Sequence, residues 1–430
     1  MKTIVCPAIG NPKRGYRQKK FVLSTFTPVE PTYKGEEPAA VTREAVITCR
    51  DVGFNMIESG WVSPRQMETI LPTCEEIGLD MIWQDLGRCG GMQGRKIAPG
   101  VTEDTVREIV KEIKKNKHCI GFYVWDEPYL DDQMDRAREQ ADWYEKYAPG
   151  DLIFTVAIPS YNLELTWDNG EFPKYLRTFV ETVQPPVLSL DYYPIGLIEQ
   201  GEDRPLDMSR LWFDLALMKQ LCAEYKLPLW FYFQGQDVWE SGKLTFPMVR
   251  LFMHVGALYG AKGLQHYTAW DSVVDPKTGG HGIFFDEQKK MNARFVAWGP
   301  TLMALSCRGI YHDSAVCAGV KGREDLFDDV KDSAVLASAL PAHVSASEHV
   351  DPEGRTYLMV LNRDYDNALT IDLPLKKAAR LWTVSPDSGE QTVFAENAKS
   401  VSLTLPPSEM VLLRVQDPAE PAEPVCYTVE

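Results

Sequence analysis

The 430-residue chain lacks most short signatures of chemistry. Its seven histidines form no H-x-H or H-x-x-x-H pair, so a metal site has no local signal and no cofactor is implied. Nine cysteines, Cys6, Cys49, Cys74, Cys89, Cys119, Cys222, Cys307, Cys317 and Cys426, contain no C-x-x-C and fit no zinc module. An odd number of thiols in mostly apolar surroundings favours a reducing compartment, with the cytoplasm as the expected location. No G-x-S-x-G elbow occurs and no G-x-G-x-x-G follows a strand. No run of 18 apolar residues exists, and Pro7 interrupts an N-terminal apolar stretch too short for a signal-peptide core. Positive charge is also scarce. Lys and Arg number 45 against 61 Asp and Glu, and the net charge of −16 repels nucleic acid and anionic membranes. The densest basic stretch, Lys13 to Lys20, reads as a solvated edge.

What is present is a rhythm. From residue 20 a short apolar strand, a polar loop and an amphipathic helix recur, with strands at 21–27, 55–61, 80–85, 120–126, 152–158, 187–193, 229–234 and 264–270. These runs are near-continuously apolar, as parallel strands covered on both faces are. In the helix over 101–116, Val106, Ile109, Val110 and Ile113 fall at i, i+3, i+4 and i+7, behind a Thr102 cap. Eight such units over about 285 residues match an α/β fold of the (β/α)8 TIM barrel type. A doubly wound open sheet is the competing architecture. After residue 306 helical periodicity gives way to short strands, which predicts a small antiparallel β-sandwich. The expected organisation is a barrel over 18–306, a sandwich over 307–416 and a loosely held Pro/Glu-rich tail over 417–430.

Barrel chemistry sits where strands end. Those ends carry Trp61, Trp83, Asp85, Trp125, Asp126, Glu127, Asp191, Tyr192, Tyr193, Gln234, Gln236, Trp270 and Asp271. Aromatic rings stack on the C–H face of a sugar, amides and carboxylates pair with its hydroxyls, and splitting a glycosidic bond needs two carboxyl groups. Glu127, beside Trp125 and Asp126 and before Pro128, is the expected general acid, and Asp191 the leading second carboxylate. Core packing is the bland alternative for each tryptophan, and loop capping for Asp191. His254 is expected in a core or interface. The Gly279-Gly280-His281-Gly282 loop suits a mobile loop better than a phosphate cradle.

The ordered set Gly121-Phe122-Tyr123-Val124-Trp125-Asp126-Glu127-Pro128, Leu188-Ser189-Leu190-Asp191-Tyr192-Tyr193-Pro194 and Ala257-Leu258-Tyr259-Gly260-Ala261-Lys262-Gly263 resembles glycoside-hydrolase-like (β/α)8 proteins related to clan A. These include β-galactosidase-type barrels with a C-terminal β-sandwich. The resemblance spans about residues 20–415. It implies a carbohydrate substrate and an acid/base glutamate after the fourth strand, where Glu127 stands with Asp126 in the place of the family's Asn. It also implies a nucleophilic glutamate ending the seventh strand. That strand ends Gln234-Gly235-Gln236, so Glu240, Asp191, Asp85 and Asp271 are the alternatives. A non-catalytic sugar-binding barrel and a phosphosugar isomerase or lyase are the rival functions, and the acidic charge opposes the second.

Overall fold

The computed structural model describes residues 1–26, 38–60, 62–85, 88, 101–161, 171–195, 208–238, 241–318 and 326–430. Eight parallel strands form the barrel: β2 (Val22–Phe26), β3 (Met56–Glu58), β4 (Asp80–Trp83), β5 (Cys119–Asp126), β6 (Leu152–Val156), β7 (Leu188–Tyr192), β8 (Leu229–Gln234) and β9 (Gly263–Tyr267). Their order, β6-β5-β4-β3-β2-β9-β8-β7, is that of a ring. The gap between β6 and β7 is bridged at Ala157 and Leu190, with the Ala157 amide donating to the Ser189 carbonyl at 2.9 Å. Every expected barrel strand is present, most with trimmed ends.

The helices form for the reasons their sequences suggest. In α3 (Glu103–Ile113) the four periodic apolar residues are all buried, and the Thr102 hydroxyl accepts the Thr105 amide. In α2 (Pro64–Ile77) Ser63 and Gln66 form a reciprocal capping box, and Gly78 closes the helix at φ +70. Helices α1 (Ala39–Asp51), α4 (Asp131–Tyr147), α5 (Glu171–Val183), α6 (Ser209–Tyr225), α7 (Phe246–Leu258) and α8 (Phe285–Ala304) complete the described shell. Strand alternation separates two cores. Outward side chains pack under the helices, while Val22, Met56, Ile82, Phe154, Trp230 and Tyr232 fill the barrel interior.

The basic stretch before β2 keeps Lys13, Arg17, Lys19 and Lys20 exposed, as expected of a solvated edge, but turns Arg14 and Gln18 inward under the barrel. Arg14 is 5% exposed and donates to Asp142, Glu145 and the Val183 and Gln184 carbonyls. Gln18 is buried beneath the strands, donating to the Lys20 and Lys262 carbonyls and accepting the Trp230 indole N–H at 2.9 Å.

The C-terminal region is an antiparallel sheet of β10 (Ser306–His312), β11 (Val344–Val350), β12 (Thr356–Asn362), β13 (Leu369–Val384), β14 (Gln391–Leu405) and β15 (Met410–Gln416), in the order β10-β11-β12-β15-β13-β14. Register shifts interrupt the long β13–β14 pair between Pro374 and Trp382, and such bulges bend a hairpin. Ile371, Leu373 and Leu403 from its outer half thereby join Leu358 and Val360 of β12 in one core, which makes the sheet a sandwich. Its other face, through Met359, Leu361 and Leu412, joins the outer core of the barrel. His254 of α7 is buried at that junction, bonding the Ser408 carbonyl at 2.7 Å.

Two expectations are corrected. Residues 417–430 are not a loose tail: β16 (Val425–Val429) pairs in parallel with β1 (Lys2–Cys6), and the Tyr427 hydroxyl donates to Asp351 at 2.8 Å. The Gly279 loop is neither mobile nor a cradle. Gly279 lies against α1, its carbonyl accepts from Thr48, and the amides of Gly279, Gly280 and Gly282 are taken by Asp275, Thr278 and Val273.

Candidate active site

Three carboxyl groups converge at the C-terminal mouth. The β5–β6 register slips between Tyr123 and Trp125, so two residues of β5 occupy the step of one. The bulge turns Trp125 outward and Asp126 inward, where the Tyr123 hydroxyl donates to Asp126 at 2.8 Å. Glu127 follows at φ +50, in the left-handed region. That conformation costs a non-glycine residue about 1 kcal/mol and clusters at functional sites. Asp191 comes from β7, on the far side of β6, and Glu127 hydrogen-bonds to it.

Tyrosines wall this cluster. The Tyr175 hydroxyl accepts the Ile158 amide at 2.9 Å and donates to the Pro128 carbonyl at 3.3 Å, tying the turns after β5 and β6 together. The Tyr161 hydroxyl accepts the Tyr193 amide at 3.2 Å. Tyr193 stacks on Tyr267 at 4.5 Å, and Tyr267 on Phe26 at 5.5 Å, forming an aromatic column across the mouth. Gly60 admits that column, because a Cβ there would overlap the Phe26 ring.

The electrostatics follow from this crowding. Burial, then the neighbouring Asp126, raises the Asp191 carboxyl well above the usual carboxylate range, while hydrogen bonds from Glu127 and Tyr193 pull it back in part. Burial raises Asp126 as well, opposed by the bond from Tyr123. Two carboxyls that repel one another in a low-dielectric wall do not both ionise readily, so protons are retained near neutral pH. Below them Glu58, at the inner end of β3, is fully buried and pushed up to about 7, chiefly by burial. Among the described residues no group of three His, Cys, Asp or Glu side chains is arranged to hold a metal ion.

The sequence-selected residues divide. Asp126, Glu127, Asp191 and Tyr193 meet at the mouth. Trp125 and Trp270 do not offer their faces to a cleft, being 1% and 2% exposed in the outer core. Tyr192 is buried there too, edge-on to Tyr161 at 4.9 Å. Trp83 and Asp85 face away from the cluster, into a groove of about 520 Å³ against α2 and α3, where Asp85 is held by Arg88 at 2.6 Å. Gln234 is spent on the backbone, accepting the Ile195 amide at 2.7 Å and donating to the Ile195 carbonyl at 3.0 Å. Gln236 accepts from Thr268 at 2.6 Å and reaches the exposed Asp271 at 3.4 Å, at the rim. Trp61 and Glu240 lie outside the described residues. Sequence reasoning missed Glu58, Tyr123, Tyr161, Tyr175 and Tyr267. Glu58 and Tyr267 end barrel strands, so strand position alone could have flagged them; the other tyrosines arrive through a bulge, a loop and a helix.

No family model and no curated protein matches the chain. Among solved structures it is similar in outline to SrfJ from Salmonella typhimurium, at 11% identity over 96% of this chain and 92% of that one, TM-score 0.47. It is likewise similar to a GH30 endoxylanase from Clostridium papyrosolvens, at 10% identity over 96% and 99%, TM-score 0.45. A GH51 arabinofuranosidase from Xanthomonas axonopodis pv. citri aligns at 11% identity over 96% and 99%, TM-score 0.43. Identities this low fix no residue correspondence.

Proposed function

We propose that the protein is a glycoside hydrolase whose acid/base unit is the Glu127–Asp191 pair. The observation that carries this reading is the convergence of Asp126, Glu127 and Asp191 at the barrel mouth, under a tyrosine wall. A pair that retains a proton near neutral pH supplies an acid for the glycosidic oxygen, and a sugar seated between the two carboxyls would part them to the ~5 Å or more that cleavage needs. Tyr267, half-buried between Tyr193 and Phe26, is the aromatic face offered to a sugar ring in place of the buried tryptophans. The reaction needs no cofactor.

A sugar-binding barrel without turnover is the second reading, favoured by one observation. The end of β8 carries Gln234, whose amide is consumed by Ile195, so no carboxylate is supplied there. Aryl glycosides and polysaccharides screened against wild type and Glu127→Gln separate the two. Release of sugar by wild type, with most of the rate lost in the variant and the anomer followed by NMR, supports hydrolysis. Glycan binding that survives Glu127→Gln, without turnover at any pH, supports the second reading. A variant as active as wild type removes Glu127 from the mechanism.

A further inference from the structure

Glu58 has no part in the pair just described, yet its side chain is fully buried at the end of β3. Each described partner of its oxygens is a donor. The Ser24 hydroxyl gives to Oε1 at 2.6 Å, the Gln265 amide gives to the same oxygen at 2.9 Å, and the Tyr232 hydroxyl gives to Oε2. The amide orientation of Gln265 is set in turn by Ser189, whose hydroxyl donates to its carbonyl at 2.5 Å. Four strands, β2, β7, β8 and β9, thus contribute polar groups to a buried nest built for an acceptor. These donors favour the charged form and offset part of the cost of burial, which still holds Glu58 above the usual carboxylate range.

The surroundings give that charge reach. The titratable groups facing Glu58 are Tyr232 from β8 and, from β5, Tyr123 and Asp126, with Asp191 of β7 beyond Tyr123. None is a base, so nothing among them neutralises a negative charge on Glu58. In a low-dielectric interior like charges act over several ångströms.

We propose that Glu58 is a positioning residue for the carboxyls that adjoin Glu127: held on Ser24, Gln265 and Tyr232, its carboxylate sits beneath Asp126 and makes the Asp126–Asp191 pair, which shares Asp191 with the acid/base unit, hold its proton to higher pH. Its catalytic meaning rests on the glycosidase reading above, but its action on the pair does not. Protein carrying 13C-labelled aspartate carboxyls is titrated by NMR, with the two signals assigned through Asp126→Asn and Asp191→Asn. In Glu58→Gln the pair's midpoints move down by about one pH unit, a roughly tenfold loss of proton affinity. Tyr232→Phe shifts them in the same direction, because Glu58 loses a donor to its charged form and stays neutral to higher pH. Unchanged midpoints in folded Glu58→Gln overturn the proposal. Should that variant fail to fold, unchanged midpoints in Tyr232→Phe overturn it instead. Where a glycoside is turned over, the alkaline limb of kcat/KM falls by the same amount. A shifted titration without turnover of any glycoside leaves the role of Glu58 intact and removes the glycosidase reading.

Discussion

The two ends of the barrel handle charge in opposite ways. At the N-terminal end each buried or half-buried charge has a partner: Arg14 with Asp142 and Glu145, Lys20 with Asp80, Lys114 with Asp151. Lys262, lowered to about 8 by burial, caps the Leu302 and Leu305 carbonyls at the end of α8. At the C-terminal end Glu58, Asp126, Glu127 and Asp191 gather, with the Ser24, Tyr232 and Tyr123 hydroxyls and the Gln265 amide donating to Glu58 and Asp126, and Asp191 Oδ1 is buried without a described partner. A fold spends stability where it keeps like charges together, so the ion-paired end holds the barrel closed and the acid-rich end is where chemistry is expected.

Substitutions at the two ends sharpen this contrast. The largest expected effect is Asp191→Asn, which removes about 10²–10⁴ of the rate on a responsive glycoside and leaves stability equal or higher. Steady-state kinetics beside a urea melt check both halves, and a large stability loss would break the comparison. At the other end Arg14→Ala costs about 3 kcal/mol in urea unfolding, through lost carbonyl bonds and unpaired acids, without moving any pH profile.

The pH dependence of stability comes next. Glu58 binds its proton more tightly folded, at about 7 against 4.5, so its neutral form suits the fold. Its contribution to stability is full below pH 4.5 and is lost as pH rises through 7, by about 3 kcal/mol. Glu58→Gln removes its share of that alkaline slope and leaves the share of the raised Asp126 and Asp191 carboxyls. The acid slope has another origin and stays: burial lowers His254 to about 4 and His266 to about 3 from 6.5, so stability falls as pH drops below 6.5 through 4. Urea midpoints from pH 4 to 9 read both limbs, and loss of the acid limb in Glu58→Gln would show that they are not separate. The smallest effect is Gly60→Ala. It pushes Phe26 out of the aromatic column, at about 1 kcal/mol of stability and a several-fold rise in KM that kcat does not share.

Much of the barrel was legible because its causes are local. Parallel strands buried on both faces leave continuous apolar runs, and the helices carry caps and period. The sandwich was only half legible: β10 and β11 were not foreseen, since polar residues such as Ser345, Ser347 and His349 break their apolar pattern yet are buried by neighbours. The tail misled because Pro and Glu in 417–424 hide the five-residue β16, which exists by pairing with the other end of the chain.

The site divides along the same line. That carboxylates stand at the ends of the fourth and sixth barrel strands follows from local sequence, because strand length and a following Pro128 or Pro194 set where each strand stops. Which neighbours share the mouth follows from packing between distant strands. A single slip in the β5–β6 register sends Trp125 out and Asp126 in. Closure of the ring brings β7 within reach of β5, and packing turns Trp270 into core and Gln234 into a loop clasp. Periodicity names the residues at a strand end, but the face each presents and the charge it keeps depend on groups hundreds of residues away. The nest around Glu58 is one such case, drawn from four separate strands between residues 24 and 265.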